Sequence, residues 1–260
     1  MANAHVVGVI PARLGSTRFP GKVLTPIAGQ PLVQRVYDRL ARASLVADVM
    51  VATDSDEVEA AVRSFGGHVV RVDSPCETGT DRVAAALEGV AADVVVNLQC
   101  DQPMIAPADI DRTVEALVSN PALDMSTLAF GAFDREGFER PDVVKVTVGT
   151  GGLAARFSRE PIPAFETEAG ADAAARSGGA GGPGDRPLYL HHVGIYCFRR
   201  GALTRFAGLP RGSLERRESL EQLRALENGM TVAVVLTDTH TVSVDRPEDA
   251  ERVAALLSAS

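Results

Sequence analysis

Apolar residues run along this chain in two rhythms. In the first half, short runs rich in β-branched residues, at 6–10, 48–53, 68–72 and 94–98, alternate with longer segments whose apolar positions recur every three or four residues. Positions 32, 33, 36, 37 and 40 mark one face of a helix over 31–40. A second helix is expected over 56–65, stopped by Gly66-Gly67, an alanine-rich one over 80–90, and another over 107–118. The run at 94–98 is too short for a helix and apolar at all but Asn97, which predicts a central strand buried on both faces. Strand and helix in alternation predict right-handed βαβ units, hence an α/β fold with a mostly parallel, Rossmann-like sheet and helices on both faces.

Past residue 124 the rhythm changes. Strand-like runs at 125–130, 143–148 and 153–158 follow one another without long helices, which predicts a small antiparallel insertion. Residues 167–184 are rich in Ala and Gly without periodicity and read as a flexible loop. A strand returns at 189–198, then a helix over 214–228 closed by Gly229, a strand at 232–236, and a last helix over 247–257 opened by Pro247. The 260 residues fit one domain, 1–260, with the insertion and loop inside about 124–198.

The densest chemistry lies in Ile10-Pro-Ala-Arg-Leu-Gly-Ser-Thr-Arg-Phe-Pro-Gly-Lys22, between the first strand and the first helix. Three cations (Arg13, Arg18, Lys22), two hydroxyls (Ser16, Thr17) and two glycines (Gly15, Gly21) suit a loop that wraps an anion, and a triphosphate is the natural guest. The spacing differs from the P-loop pattern. Two aspartates stand at other strand ends. Asp101 follows the central strand, where ligands of open parallel sheets bind, and Asp245 precedes the last helix. Each has a plainer reading as a helix cap or turn former. As a pair they suit Mg²⁺, which takes one or two carboxylates plus phosphate oxygens.

Composition narrows the setting. A net charge of −8 argues against a general nucleic-acid binder. Three scattered cysteines (Cys76, Cys100, Cys197) fit a reduced, cytoplasmic protein. No apolar stretch reaches membrane length, and no signal-peptide pattern opens the chain.

These motifs resemble the sugar-activating nucleotidyltransferases, most closely the CMP-KDO synthetases (3-deoxy-manno-octulosonate cytidylyltransferases). The resemblance rests on the 10–22 loop and on Ala52-Thr53-Asp54, Thr78-Gly79-Thr80-Asp81-Arg82, Val143-Val144-Lys145-Val146, Phe157-Ser158-Arg159, His192-Val193-Gly194-Ile195-Tyr196, the run Glu218 to Arg224, and Val244-Asp245. It implies a nucleotidyltransferase-type fold and transfer of CMP from CTP to a small anionic acceptor, with KDO the closest substrate, pyrophosphate the product and a homodimer the assembly. It implies that Lys22, Arg13, Asp101 and Asp245 are catalytic, the two aspartates holding Mg²⁺. Ala12, Arg13, Ser16, Thr17, Arg18, Lys22, Thr78, Gly79, Arg82 and Gln99 would bind the nucleotide. Gln99, Arg159, His192, Tyr196, Glu221 and Gln222 would bind the acceptor. On chemistry alone, His192 and Tyr196 read as satisfied core residues, and Glu221 and Gln222 as the exposed side of a helix. The chain departs from the family at Cys100 and Gln102, where the family has Gly and Glu, at Cys76, often His, and over Ala164–Thr167. Two alternatives therefore stand beside KDO: a phosphonate acceptor such as phosphonoformate, and a catalytically silent nucleotide-binding protein.

Overall fold

The computed structural model describes residues 4–16, 18–166 and 186–258. The expected loop over 167–184 and Thr17 lie outside the described residues. The chain forms two compact units, residues 1–111 with 241–260, and residues 112–240.

The first unit is the βαβ half. Strands β1 (Val6–Pro11), β4 (Asp48–Thr53), β5 (Val69–Arg71) and β6 (Val94–Leu98) lie in the order β5-β4-β1-β6, all parallel, with Val7 opposite Asp48 and Val6 opposite Val94. β1 and β6 are buried at every position, as apolar runs covered on both faces must be. Helices α1 (Leu32–Ala41), α2 (Asp56–Ser64) and α3 (Gly79–Ala86) pack on these strands through Val33, Val36, Leu40, Val58, Val62 and Val83. α4 (Pro107–Ser119) follows β6, and α9 (Pro247–Ser258) returns the chain to this unit. One element escapes the apolar pattern. A hairpin of β2 (Pro26–Ile27) and β3 (Gln30–Pro31) turns on Ala28 and Gly29, both at positive φ, and two-residue strands are too short to show periodicity.

The second unit carries the antiparallel insertion. Its strands are β7 (Met125–Ala132), β8 (Lys145–Val148), β9 (Ala154–Ser158), β10 (Tyr189–Arg199) and β11 (Val232–Thr237), in the order β11-β7-β10-β8-β9. β11 runs parallel to β7 and the other pairs are antiparallel. β10 carries an irregularity between Val193 and Tyr196. Short helices α5 (Arg135–Glu139) and α6 (Arg200–Gly208) add to the expected set.

The helix expected over 214–228 is instead two, α7 (Ser213–Glu218) and α8 (Leu223–Glu227), broken at Ser219 in the left-handed region with φ 53°. The cause is buried charge. Glu215 and Arg224 form a sequestered ion pair at 2.8 Å, and Glu218 turns inward too. Periodicity counts such residues as solvent-facing, so it reads straight through the break.

Candidate active site

The 10–22 loop leaves the carboxyl end of β1, and Asp101 follows the carboxyl end of β6, its neighbour in the sheet. Asp245 sits just before α9. The backbone joins the last two, because Val244 N–H donates to the Asp101 carbonyl at 2.9 Å. Lys22 opens a single 3-10 turn after Gly21, which takes φ 70°. Its ammonium donates to the Val244 carbonyl at 3.0 Å and lies 3.4 Å from both Asp101 Oδ2 and Asp245 Oδ1. Arg18 reaches Asp245 Oδ1 at 3.2 Å. Three distant stretches thus converge on one charged cluster.

The cap reading of Asp245 fails on geometry. The N–H groups of Asp245 and Arg246 donate to Asp249 Oδ2 at 3.0 and 2.8 Å, so Asp249 serves the start of α9 while the Asp245 carboxylate turns to Lys22 and Arg18. Burial and the neighbouring Asp101 carboxylate raise the Asp245 pKa, even against Lys22 and Arg18. Burial works against the charge on Lys22, but Asp101 and Asp245 outweigh it and raise its pKa above 10.5.

The cluster forms one wall of a cavity of about 290 Å³ inside the first unit. Of the residues expected at the nucleotide, Arg13, Ser16, Arg18, Lys22, Thr78, Gly79, Arg82 and Gln99 line it, together with Asp101 and Asp245. Ala12 is buried at the end of β1, its N–H on the Ala52 carbonyl, and does not line it. Thr78 caps α3 in a reciprocal pair. Its Oγ1 accepts from Asp81 N–H at 3.2 Å, and Asp81 Oδ2 accepts from Thr78 N–H at 2.9 Å. Gly79 lies in close approach: a Cβ there would sit 3.2 Å from both amide atoms of Gln99 and 3.3 Å from Pro11, so the Gln99 amide would have to give way. Arg82 is held by Asp54 at 2.7 Å and by the Val72 carbonyl.

Three residues that the sequence marked only as departures from the family belong to the site. Gln102 Nε2 donates to Asp101 Oδ1 at 2.9 Å, a bond that an ionised Glu could not make. Cys76 and Cys100 both line the cavity, and burial pushes the Cys100 thiol up to about 12. The departures at positions 76, 100 and 102 therefore surround the nucleotide-side cluster. The departure from the family at position 102, next to Asp101, was the signal for Gln102.

Apart from Gln99, the residues expected at the acceptor belong to the second unit. Arg159 follows β9. Its Nε donates to the Glu218 carbonyl at 2.8 Å and one terminal nitrogen to the Pro141 carbonyl at 3.0 Å. His192 is buried on β10, its ring stacked on Tyr196 with centroids 5.5 Å apart. The Thr127 hydroxyl donates to the Ile195 carbonyl at 2.7 Å and lies 2.9 Å from His192 Nε2. One hydroxyl proton cannot serve both, so His192 Nε2 carries a proton and donates to Thr127. Burial, aided by His191, pushes the His192 pKa down to about 3 and keeps the ring neutral. Glu221 and Gln222 lie in the turn after Ser219 rather than on a helix face. Gln222 is buried, and its Nε2 has no hydrogen-bond partner among the described residues.

Hard oxygen donors at Asp101 and Asp245, burdened by mutual repulsion, are what a divalent cation relieves. No group of three or more His, Cys, Asp or Glu side chains suited to a metal occurs among the described residues. Two carboxylates suffice for an ion that also takes phosphate oxygens.

Comparison with known proteins bears on the family and the fold. A family model described as cytidylyltransferase matches residues 7–232. The chain is 46% identical to the 3-deoxy-manno-octulosonate cytidylyltransferase of Geobacter sulfurreducens over 97% of its own length and 99% of the relative's. It is 43% identical to the enzyme of the same name from Solibacter usitatus, over 98% and 95%. Among solved structures, CMP:2-keto-3-deoxy-manno-octonic acid synthetase complexed with CTP matches with a TM-score of 0.84 and 40% identity, covering 98% of this chain and 99% of that one.

Proposed function

From the premise that this chain belongs to the cytidylyltransferase family, we propose that it transfers CMP from CTP to 3-deoxy-manno-octulosonate and releases pyrophosphate. The observation that carries this reading is the convergence of Lys22, Asp101 and Asp245 in a cation-rich cavity of a chain 46% identical to such an enzyme.

In the proposed reaction an acceptor hydroxyl oxygen gives up its proton to solvent and bonds to the α-phosphorus while the bond to the bridging oxygen of pyrophosphate breaks. Positioning and charge stabilisation do most of the work in such transfers. Arg13, Arg18 and Lys22 grip the triphosphate. Asp101 and Asp245 would hold Mg²⁺, which neutralises phosphate charge and activates the acceptor when bound. Gln102 orients Asp101 by its amide bond. Thr78, Gly79, Arg82 and Gln99 take the nucleoside side of the cavity.

Arg159 takes the acceptor's acid group, with the neutral His192, Tyr196, Glu221 and Gln222, whose Nε2 has no partner among the described residues, supplying further hydrogen bonds. A neutral His192 binds without competing for protons. The protein acts as a homodimer, tested by light scattering. It acts in the cytoplasm, in keeping with three unpaired thiols. No helix among the described residues is long and apolar enough to cross a membrane.

Pyrophosphate release from CTP with KDO and phosphonoformate assayed in parallel tests the proposal. Turnover with KDO supports it. Turnover with phosphonoformate alone gives the chain a phosphonate acceptor, and no turnover of CTP with these two or with a panel of other small acids removes the enzymatic reading.

A further inference from the structure

Arg159 is bonded through its N–H, its carbonyl and its guanidinium, and two of the partners are buried charges for which the proposed chemistry has no direct use. Glu218, at the end of α7, accepts from Arg159 N–H through Oε2 at 3.1 Å and from the Ser158 hydroxyl at 3.4 Å. Its own carbonyl accepts from Arg159 Nε at 2.8 Å. Lys145, wholly buried in β8, donates from Nζ to the Arg159 carbonyl at 3.0 Å and to the Arg140 carbonyl at 2.5 Å. β8 pairs Lys145 with Ser158, so the sheet register delivers the ammonium to this place.

Burying a charge is costly unless its hydrogen bonds are well made. A sheet edge or a hydroxyl would have fixed one residue's backbone at less cost. An ammonium on the carbonyl and a carboxylate on the amide give stronger bonds than neutral partners do. The Glu218 carbonyl and the Pro141 carbonyl then set the plane of the guanidinium. Glu218 is followed at once by the Ser219 turn that carries Glu221 and Gln222, so one residue ties Arg159 to that turn.

We propose that Lys145 and Glu218 are positioning residues for the transfer reaction, clamping Arg159 so that its guanidinium meets the acceptor's acid group in a single orientation. This rests on the assignment of Arg159 to the acceptor. Neither residue touches substrate. Each acts through Arg159, and a two-pronged grip on a carboxylate fails when the fork is misaligned.

The test compares Glu218→Gln, Lys145→Met and Arg159→Lys in the full chain. Gln keeps the size of Glu218 but removes its charge and leaves one acceptor oxygen for the donors on Ser158 and Arg159. The Glu218→Gln enzyme is expected to show an acceptor KM raised roughly ten- to a hundredfold, the cost of a small misplacement, with the CTP KM unchanged. Glu218→Asp should recover part of the affinity. Glu218→Gln and Arg159→Lys together should cost less than the product of their separate effects. Amide hydrogen exchange over residues 157–160 in the ligand-free protein should quicken in both clamp variants. If Lys145→Met does not fold, Glu218→Gln decides the matter. A raised acceptor KM in Arg159→Lys, beside an unchanged one in Glu218→Gln, overturns the clamp alone. Equal rises in both KM values, or unchanged exchange at 157–160, overturn it too. An Arg159→Lys enzyme with an unchanged acceptor KM overturns the acceptor assignment itself, and the clamp with it.

Discussion

Lys22 is the residue on which the candidate site turns, since one ammonium meets the Val244 carbonyl and two carboxylates. Lys22→Ala should lower kcat by roughly 10²–10³, the usual cost of losing one charge that stabilises a transition state. A variant that keeps most of its kcat would leave the loop with a binding role only. Asp245 gives the opposite kind of prediction. Its folded pKa is raised above 3.8 by burial and by Asp101. The neutral form therefore suits the fold, that stabilisation is complete below 3.8, and it is lost as pH rises through the folded value. At neutral pH the ionised Asp245 costs stability. Asp245→Asn should thus lose turnover yet unfold, in metal-free buffer, no more easily than the native protein. A lower Tm with intact turnover would return Asp245 to a structural role. At this scale the sequence was informative where charge was dense. Arg13, Arg18 and Lys22 stood out by their density among hydroxyls and glycines, and they line one cavity, whereas Asp249 carries no signal apart from the partners that folding brings it.

Helix α3 shows how an element places a site. The reciprocal Thr78–Asp81 bonds satisfy its first N–H groups and set Thr78, Gly79 and Arg82 along the cavity wall. Thr78→Ala should destabilise the fold by about 1 kcal/mol, read from urea denaturation, and should raise the CTP KM as the end of the helix frays. A stability loss with an unchanged CTP KM would confine Thr78 to capping. The β-strands and long helices were legible because burial on a regular element writes a regular pattern: β6 is apolar at 94–96, and α1 buries Val33, Val36 and Leu40. The break at Ser219 was not legible, because Glu215, Glu218 and Arg224 are buried charges that break the rule linking polarity to exposure. α6 was missed although Ala202, Leu203 and Phe206 are buried at helical spacing, since nine residues hold little more than two turns.

For the whole molecule, the histidines of β10 set the response to acid. Burial drives His192 down to about 3, and burial with Lys145 nearby drives the half-buried His191 to about 4. Both lie below the ordinary value of 6.5. A histidine depressed in this way contributes stability that is complete above 6.5 and lost as pH falls through its folded value. Acidification from neutrality toward about pH 4 should therefore lower the free energy of unfolding by up to about 1.4 kcal/mol per pH unit for each such ring. The carboxylates Asp124 and Asp134 are depressed below 3.8, so their contribution fades only at lower pH, and the two windows are separable. Asp245 acts in the reverse sense and flattens the low end of the curve. With no tryptophan in the chain, far-ultraviolet circular dichroism in urea is the suitable measurement. His192→Gln keeps a donor for Thr127 without a titrating ring, so it should flatten the slope between pH 6.5 and 4. An unchanged slope in that variant would show that His192 is hydrated and protonated in the folded protein, and would remove its neutral, acceptor-binding role along with the acid sensitivity.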